Sequence, residues 1–494
     1  MGFLIELVDS GLQGSPKCDS THPGRWRKPT SPLTLLHFAK YDSGFPWIPP
    51  LTLPALHFAD MSAMEKTKVA IIGLGTVGSG VARLLLDFGD RTARHAGRTL
   101  WLEKAVVRDL ERARDCDLPD GILTDKIEEV IDNPEIKVVA QLIGGLEPAK
   151  SIMLKLLESG KDVVTANKAL LAEHGPEIFD RARELGRCVA FEASVAGGIP
   201  IIANIGQCLS ANQLLSLHGI LNGTSNFILS KMHEEGLDYS DVVAEAQRLG
   251  YAEADPAMDV DGTDAAQKLA ILAHLGFGAR VHWSDIPRTG IDTLNIADVR
   301  YAHEMGYKIK LLAVAQLVDE GIELHVSPTL VRIGRPLAEV GGPFNAIRVV
   351  GDAVGPLLFY GPGAGQMPTA SAVAADMIDV AVGRSPITFR TLELWSNRAA
   401  RVAAADYANA RGRFYFRLTV DDSPGVLAEV THALGGQDVS IASVLQHELN
   451  ADSESIPLVI MTHETTEGAA SRACEIMSRL DSVKEEPVKM WVRD

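Results

Sequence analysis

The 494-residue chain is poor in cysteine, and its five (Cys18, Cys116, Cys188, Cys208 and Cys474) are scattered with no C-x-x-C or Cys/His spacing. That argues against a disulfide framework or a structural zinc site and suits a reducing, cytoplasmic setting. No stretch approaches the roughly 18 uncharged apolar residues needed to span a bilayer, so no membrane partner is expected. Positive charge is not in surplus either. The formal net charge is −17, which argues against a general nucleic-acid binder and means that an anionic ligand would need a local basic pocket. There is no internal repeat. What is present is 46% hydrophobic and 22% charged residues, ample for a large buried core and a length that suits about three domains.

The first 63 residues differ from the rest. They hold eight of the 25 prolines, as in PWIPPLTLP, and five basic against five acidic residues, so the whole −17 belongs to residues 64–494. Glu6 and Asp9 interrupt the first apolar run, which makes a poor secretory signal. The expectation for 1–63 is a disordered extension, or a start assigned too early, since Met61 and Met64 stand just before the first convincing strand.

From Lys68 the texture is that of alternating strands and helices. KVAIIGLGTVGSGVARLLLDFG reads as a buried strand, a glycine turn and an amphipathic helix. TLWLEKAVVRD, VVAQLIGG and KDVVTANK are further short strands, with helical patterns such as AKSIMLKLLESG between them. The class is α/β, with a doubly wound parallel sheet over 64–200. Over 201–385, long helices (YSDVVAEAQRLG, TDAAQKLAILAHLG) mix with alternating strands such as IELHVSPTLV, which predicts a separate α+β substrate domain. Residues 386–412, rich in alanine and arginine, read as a connector. Beyond it RFYFRLTV, GVLAEVTHALGG, VSIASVLQHEL, IPLVIMTHE, GAASRACEIMSRL and PVKMWVRD give the order βαββαβ, a ferredoxin-like unit over 413–494.

Gly73-Leu74-Gly75-Thr76-Val77-Gly78 fits G-x-G-x-x-G between a strand and a helix, a Rossmann-type dinucleotide turn. The first glycine permits the turn, the second admits a pyrophosphate, the third packs helix on strand, and the helix N-terminus offers N–H donors. The second strand ends Val107-Arg108-Asp109, which offers both an arginine for a 2′-phosphate and an acid for a 2′-hydroxyl. Arg108, with Arg112 and Arg114 nearby, tilts the expectation toward NADP over NAD; solvated arginines would read the same way. Lys168 ends an apolar strand where α/β proteins place ligands, although surface lysines are common. Glu192 opens EASVAGGIP, a glycine-rich turn that either offers carbonyls to a hard monovalent cation or simply crosses between domains.

In GTDAAQK, Asp264 and Lys268 share one face of a predicted helix, with Thr263 as its N-cap and Leu269, Leu272 and Ala273 as its buried stripe. Such pairs are usually solvated surface decoration. In a cleft, the lysine would instead exchange a proton with a substrate oxygen while the carboxylate held it, and Glu253 and Asp259 would recognise an ammonium group.

The run A-x-x-x-G-Y-A-E-A-D-P-x-x-D-V-x-G-x-D-x-x-x-K, from Ala246 to Lys268, resembles the signature of the homoserine dehydrogenase family. The resemblance extends through KVAIIGLGTVGSGV, VVTANKALLA, FEASVAGGIPII, GILNGTSNFIL and YGPGAGQMPTASAV. In the C-terminal unit DSPGVL resembles the strand-to-helix turn of ACT domains, which bind amino acids. The resemblance implies NAD(P)H-dependent reduction of L-aspartate 4-semialdehyde to L-homoserine, in threonine, methionine and isoleucine biosynthesis. It implies Lys268 as proton donor with Asp264 as its partner, and Glu253 and Asp259 at the substrate's amino end. Lys168 would stand between nicotinamide and substrate. Gly75, Thr76, Val77 and, later in the chain, Gly365 would contact the cofactor. Glu192, Val195, Gly197 and Ile199 would hold sodium, and Asp422, Gly425 and Val426 would mark a regulatory site for L-threonine in a homo-oligomer. Gln141 departs from the family's glutamate. Two rivals share parts of this pattern: an amino-acid dehydrogenase acting at Cα, against which the 246–268 run speaks, and a sensor with a dead dehydrogenase domain, against which the intact lysines and acids speak.

Overall fold

The computed structural model describes residues 65–392, 401–447 and 455–494. The expected extension over 1–63 and residues 393–400 of the expected connector lie outside the described residues. Six strands form the first sheet: β1 (Lys66–Ile72), β2 (Thr99–Val106), β3 (Leu123–Thr124), β4 (Ile136–Gln141), β5 (Asp162–Thr165) and β6 (Val189–Ala190). Their order is β3-β2-β1-β4-β5-β6, and every pairing is parallel. Val69 to Ile72 are all buried, because helices cover both faces and leave β1 no polar side. The strand order reverses between β1 and β4, and it is beyond the carboxyl ends of such strands that open α/β sheets bind ligands.

The helix Gln366–Ala381 returns from far along the chain to lie on the helix Thr76–Leu86. Small residues let them touch: a Cβ on Gly80 would stand 2.9 Å from the Cβ of Ala370.

A second sheet of ten strands contains β7 (Leu214–Ile220), β8 (Tyr307–Val318), β9 (Gly321–Arg332), β10 (Phe344–Gly351), β11 (Gly355–Pro362), β12 (Arg411–Asp421), β13 (Ile441–Gln446), β14 (Ser455–Thr462), β15 (Thr465–Thr466) and β16 (Val488–Arg493). Its order is β11-β10-β7-β8-β9-β16-β12-β14-β13, with β15 beside β12. Within it β16-β12-β14-β13 is the ferredoxin-like arrangement of the C-terminal unit, with the helices Val426–Gly435 and Glu467–Met477 as its crossovers. The unit is not detached from the sheet before it. Strand β16 pairs in parallel with β9, placing Trp491 opposite Thr329 and Arg493 opposite Val331.

Alternation along β12 serves both sides of this junction: Tyr415 packs into the main core, while Phe414, Phe416 and Leu418 pack into the C-terminal unit's own core. The described end of the expected connector is also built in. Ile322 N donates to Ala403 O, and Ala405 N donates to Ile322 O. The chain runs so close to Gly321 that a Cβ there would meet Ala403 O at 2.3 Å.

Candidate active site

The helix Thr263–Phe277 carries the Asp264–Lys268 pair. Its N-cap is Gly262, at φ +86°, and not Thr263, which is the first helical residue and hydrogen-bonds Asp261 through both its backbone N and its hydroxyl. The positive φ explains the shift, since a glycine reaches it without the steric cost a threonine would bear. Leu269, Leu272 and Ala273 are fully buried, and Asp264 is itself only 6% exposed. A solvated surface pair is therefore ruled out.

Three donors converge on the two oxygens of Asp264. Lys268 Nζ lies 2.7 Å from Oδ2, Asn222 Nδ2 donates to the same oxygen at 2.9 Å, and Lys168 Nζ is 3.2 Å from Oδ1. Burial alone would push this carboxyl up, but the ammonium groups of Lys268 and Lys168 outweigh it and hold the acid below its usual range. Lys268 Nζ also donates to the Leu221 carbonyl at 2.7 Å, just past the end of β7, so two acceptors fix where it points. Lys168 begins the helix Lys168–Glu184 that follows β5, and its side chain keeps 37% exposure. Asp259 joins through Asn222 Nδ2 at 2.8 Å. Burial pushes Asp259 up, and the Asn222 hydrogen bond opposes this.

Glu253 is not brought into this cluster. Gly250, at φ +78°, ends the helix Tyr239–Leu249, Gln247 Nε2 ties down the carbonyls of Glu253 and Ala254, and the Glu253 side chain is exposed. The residue missed in the sequence is Asn222. Its visible signal was an N-cap signal, asparagine ahead of Gly-Thr-Ser and a helical run; nothing local tells which acids its amide meets.

The dinucleotide turn has the geometry its glycines require. Gly73 sits at φ +96°, where a Cβ would press on Leu142 O at 3.1 Å. A Cβ on Gly78 would lie 2.0 Å from Gly73 O, whereas one on Gly75 would meet nothing within 4 Å. That open space faces the N-terminus of the helix Thr76–Leu86, of which Thr76 and Val77 are the first residues. Arg108 is exposed just past β2. Arg114, by contrast, is spent on the carbonyls of Leu110, Arg112 and Asp109. Gly365, at φ +118°, caps the helix Gln366–Ala381, and Gln366 Nε2 reaches Asp115 Oδ2 at 3.0 Å.

Glu192 is 5% exposed. Its carboxylate accepts from Ile202 N at 2.9 Å and Ala203 N at 2.8 Å, and its own N donates to Asp376 Oδ2 at 2.8 Å. Burial pushes it up to about 7. Ala196 and Gly197 follow at φ 55° and 45°, between buried Val195 and Ile199. Gln141, fully buried, donates through Nε2 to Ala149 O at 3.1 Å and accepts from Thr165 Oγ1 at 3.3 Å. In the C-terminal unit, Gly425 at φ +102° caps the helix begun by buried Val426, and Asp422 is exposed on the same turn.

Comparison with known proteins matches residues 200–378 to a family described as homoserine dehydrogenase and residues 73–192 to the homoserine dehydrogenase NAD-binding domain. A homoserine dehydrogenase of Pseudomonas aeruginosa is 44% identical over 437 residues, covering 87% of this chain and 99% of its own. The chain belongs to the homoserine dehydrogenase family. The Bacillus subtilis homoserine dehydrogenase is 40% identical over 424 residues, 85% of this chain and 97% of its own. The crystal structure of a homoserine dehydrogenase from Thiobacillus denitrificans superposes with a TM-score of 0.80 at 43% identity, covering 87% of this chain and 99% of that one. A hyperthermophilic archaeal homoserine dehydrogenase in complex with NADPH superposes at 0.53 and 25% identity, over 64% of this chain and 97% of its own. The chain is thus an NAD(P)-dependent oxidoreductase with a parallel-sheet nucleotide-binding domain and a catalytic domain. Among the described residues no helix is long and apolar enough to cross a membrane.

Proposed function

We propose that the protein reduces L-aspartate 4-semialdehyde to L-homoserine with Lys268 as the proton donor. The observation that carries this is the enclosed Asp264 carboxylate clamped between Lys268 and Lys168. When bound, the cofactor supplies the hydride. As charge builds on the aldehyde oxygen, the Lys268 ammonium stabilises it and then gives up its proton. Asp264 and the Leu221 carbonyl hold Nζ in place throughout. Lys168, more exposed, faces both cofactor and substrate. Asp259 receives the substrate's ammonium.

For the cofactor, the open space at Gly75 and the free N–H groups of the helix Thr76–Leu86 fit a pyrophosphate. Gly73, Gly78, Thr76 and Val77 shape that seat, Gly365 closes on it, and exposed Arg108 serves the 2′-phosphate of NADP. Glu192, with carbonyls at Val195, Gly197 and Ile199, suits sodium: the acid is enclosed without a cationic side chain on it among the described residues, and the ligands are hard oxygens. The C-terminal unit is read as an ACT domain that binds L-threonine at Asp422, Gly425 and Val426 and inhibits the enzyme. Its ferredoxin-like order and the left-handed Gly425 turn support this, and β13, paired on one side only among the described residues, leaves an edge for pairing in a homo-oligomer. The four cysteines among the described residues are free, which suits a cytoplasmic setting.

The test is NADPH oxidation with L-aspartate 4-semialdehyde by wild type and Lys268→Ala. The variant is expected to lose about 10²–10⁴ in kcat, the usual contribution of one general acid. An unharmed variant would move the proton transfer to Lys168.

A further inference from the structure

We infer that Asn222 is a positioning residue whose carboxamide holds the Asp259 and Asp264 carboxylates side by side, setting the seat of the substrate's ammonium and the lysine clamp at once. The inference rests on the roles proposed above for Asp259, Asp264 and Lys268.

Every hydrogen-bonding capacity of this side chain that faces the site is used. Nδ2 donates one N–H to Asp259 Oδ1 at 2.8 Å and the other to Asp264 Oδ2 at 2.9 Å, while Oδ1 accepts from Ser225 N at 2.7 Å and caps the helix Gly223–Glu235. The orientation of the amide is fixed by its company, since only the NH₂ end can face two carboxylates. Asn222 is 5% exposed, so water does not substitute for these donors. The residue before it, Leu221, accepts Lys268 Nζ through its carbonyl. One dipeptide therefore touches Asp259, Asp264 and Lys268.

The residue type follows from the task. An aspartate would cap the helix but set a third anion against two. A serine would cap it with a single donor on a shorter arm. Asparagine combines a cap acceptor with two donors on one rigid plane.

Charge gives the arrangement a consequence. Asp259 faces Asp264 and Lys268 from the helix Thr263–Phe277 and Lys168 from the helix Lys168–Glu184. Burial raises Asp259, and among the influences holding it down the Asn222 hydrogen bond is the largest. Without that bond Asp259 takes up a proton more readily, and a neutral carboxyl no longer pairs with an ammonium.

The experiment compares wild type, Asn222→Ser, Asn222→Asp and Asp259→Asn in kcat, KM for L-aspartate 4-semialdehyde, and the pH profile of kcat/KM. Serine retains the helix cap, so Asn222→Ser is expected to melt near the wild-type temperature and bind NADPH normally. Its KM is expected to rise about tenfold, with kcat/KM down about 10–100-fold, the effect of one to two lost charge-assisted hydrogen bonds. The acidic limb of the profile is expected to move to higher pH. Asn222→Asp, which keeps both cap and shape, should move all three further in the same direction, and it carries the test by the same criteria if the serine variant does not fold. A merely structural loss would lower the active fraction, and so kcat, at an unchanged KM and an unchanged limb. If Asp259→Asn leaves KM alone, the site assignment itself fails. If Asp259→Asn raises KM while the Asn222 variants keep wild-type KM and limb, the positioning role is overturned.

Discussion

A carboxylate as enclosed as Asp264 is tolerable only because its surroundings repay the lost hydration, chiefly through the ammonium groups of Lys268 and Lys168. The same logic, applied to a neutral group, accounts for Gln141. Its amide donates to the Ala149 carbonyl and its oxygen accepts from Thr165; a carboxylate in this place could accept but not donate. Gln141→Glu is therefore expected to cost about 1–3 kcal/mol. The new acid would have its pKa raised in the folded protein, because only its protonated form satisfies Ala149. A raised carboxyl contributes stability below its unfolded pKa, near 4.3, and loses it as pH rises through the folded value. Urea unfolding should accordingly show a larger deficit at pH 8 than at pH 5, and a variant as stable as wild type at pH 8 would refute the donor role. The pairing of Asp264 with Lys268 was legible in the sequence because an i,i+4 spacing on a helix is local. Their enclosure was not. Whether Asp264 faces water depends on Asn222 and Lys168, which are brought to it by elements far away in the chain.

Elements show the same division. The glycine turn after β1 could be read from its spacing, and even the separate duties of its glycines could be anticipated, because a left-handed φ and a close helix approach are backbone constraints that only glycine meets. Those duties can be separated experimentally. A Cβ on Gly78 collides with Gly73 O at 2.0 Å, while one on Gly75, at φ −80°, meets nothing. Gly78→Ala should lose about 1–3 kcal/mol, as overpacking does, because backbone and not a flexible side chain must yield. Gly75→Ala should leave stability within about 1 kcal/mol of wild type yet raise the NADPH dissociation constant about tenfold or more by filling the phosphate seat. Urea unfolding and NADPH fluorescence titration on both variants decide it. Equal NADPH affinity in Gly75→Ala and wild type would place the pyrophosphate elsewhere. The Thr263 cap, by contrast, was misplaced by one residue, since Thr and Asp near a glycine offer several local caps and only the backbone angle at Gly262 selects among them.

At the scale of the molecule, the βαββαβ order of the C-terminal unit follows from local periodicity, whereas its incorporation into the catalytic sheet does not. The pairing of β16 with β9 joins Trp491 to Thr329, a separation that no local pattern spans. The junction is locked by charge as well. Asp298, fully buried at the start of the helix Ile296–Glu304, accepts from Arg417 Nε at 2.6 Å and Nη2 at 3.1 Å, from the Tyr415 hydroxyl at 3.2 Å, and from Asn295 N at 3.1 Å. The same carboxylate thus closes a capping box in the catalytic region and anchors β12 of the C-terminal unit. Removing one partner of such a pair leaves the other buried and uncompensated, so Arg417→Met should cost about 3–5 kcal/mol. The double variant with Asp298→Asn should recover part of that loss, because neither charge is then stranded. Since Tyr415, Met461 and Met490 belong to the main core, the lost stability should lower one common unfolding transition, followed in urea by fluorescence and by activity together. A second transition, with activity surviving the loss of the C-terminal signal, would mean that the continuous sheet does not make the two regions one cooperative body. For the same reason a chain cut near Arg413 is a poor probe of regulation: it removes β16 and leaves β9 as a raw edge, so any change in threonine response would be confounded with damage to the catalytic sheet itself.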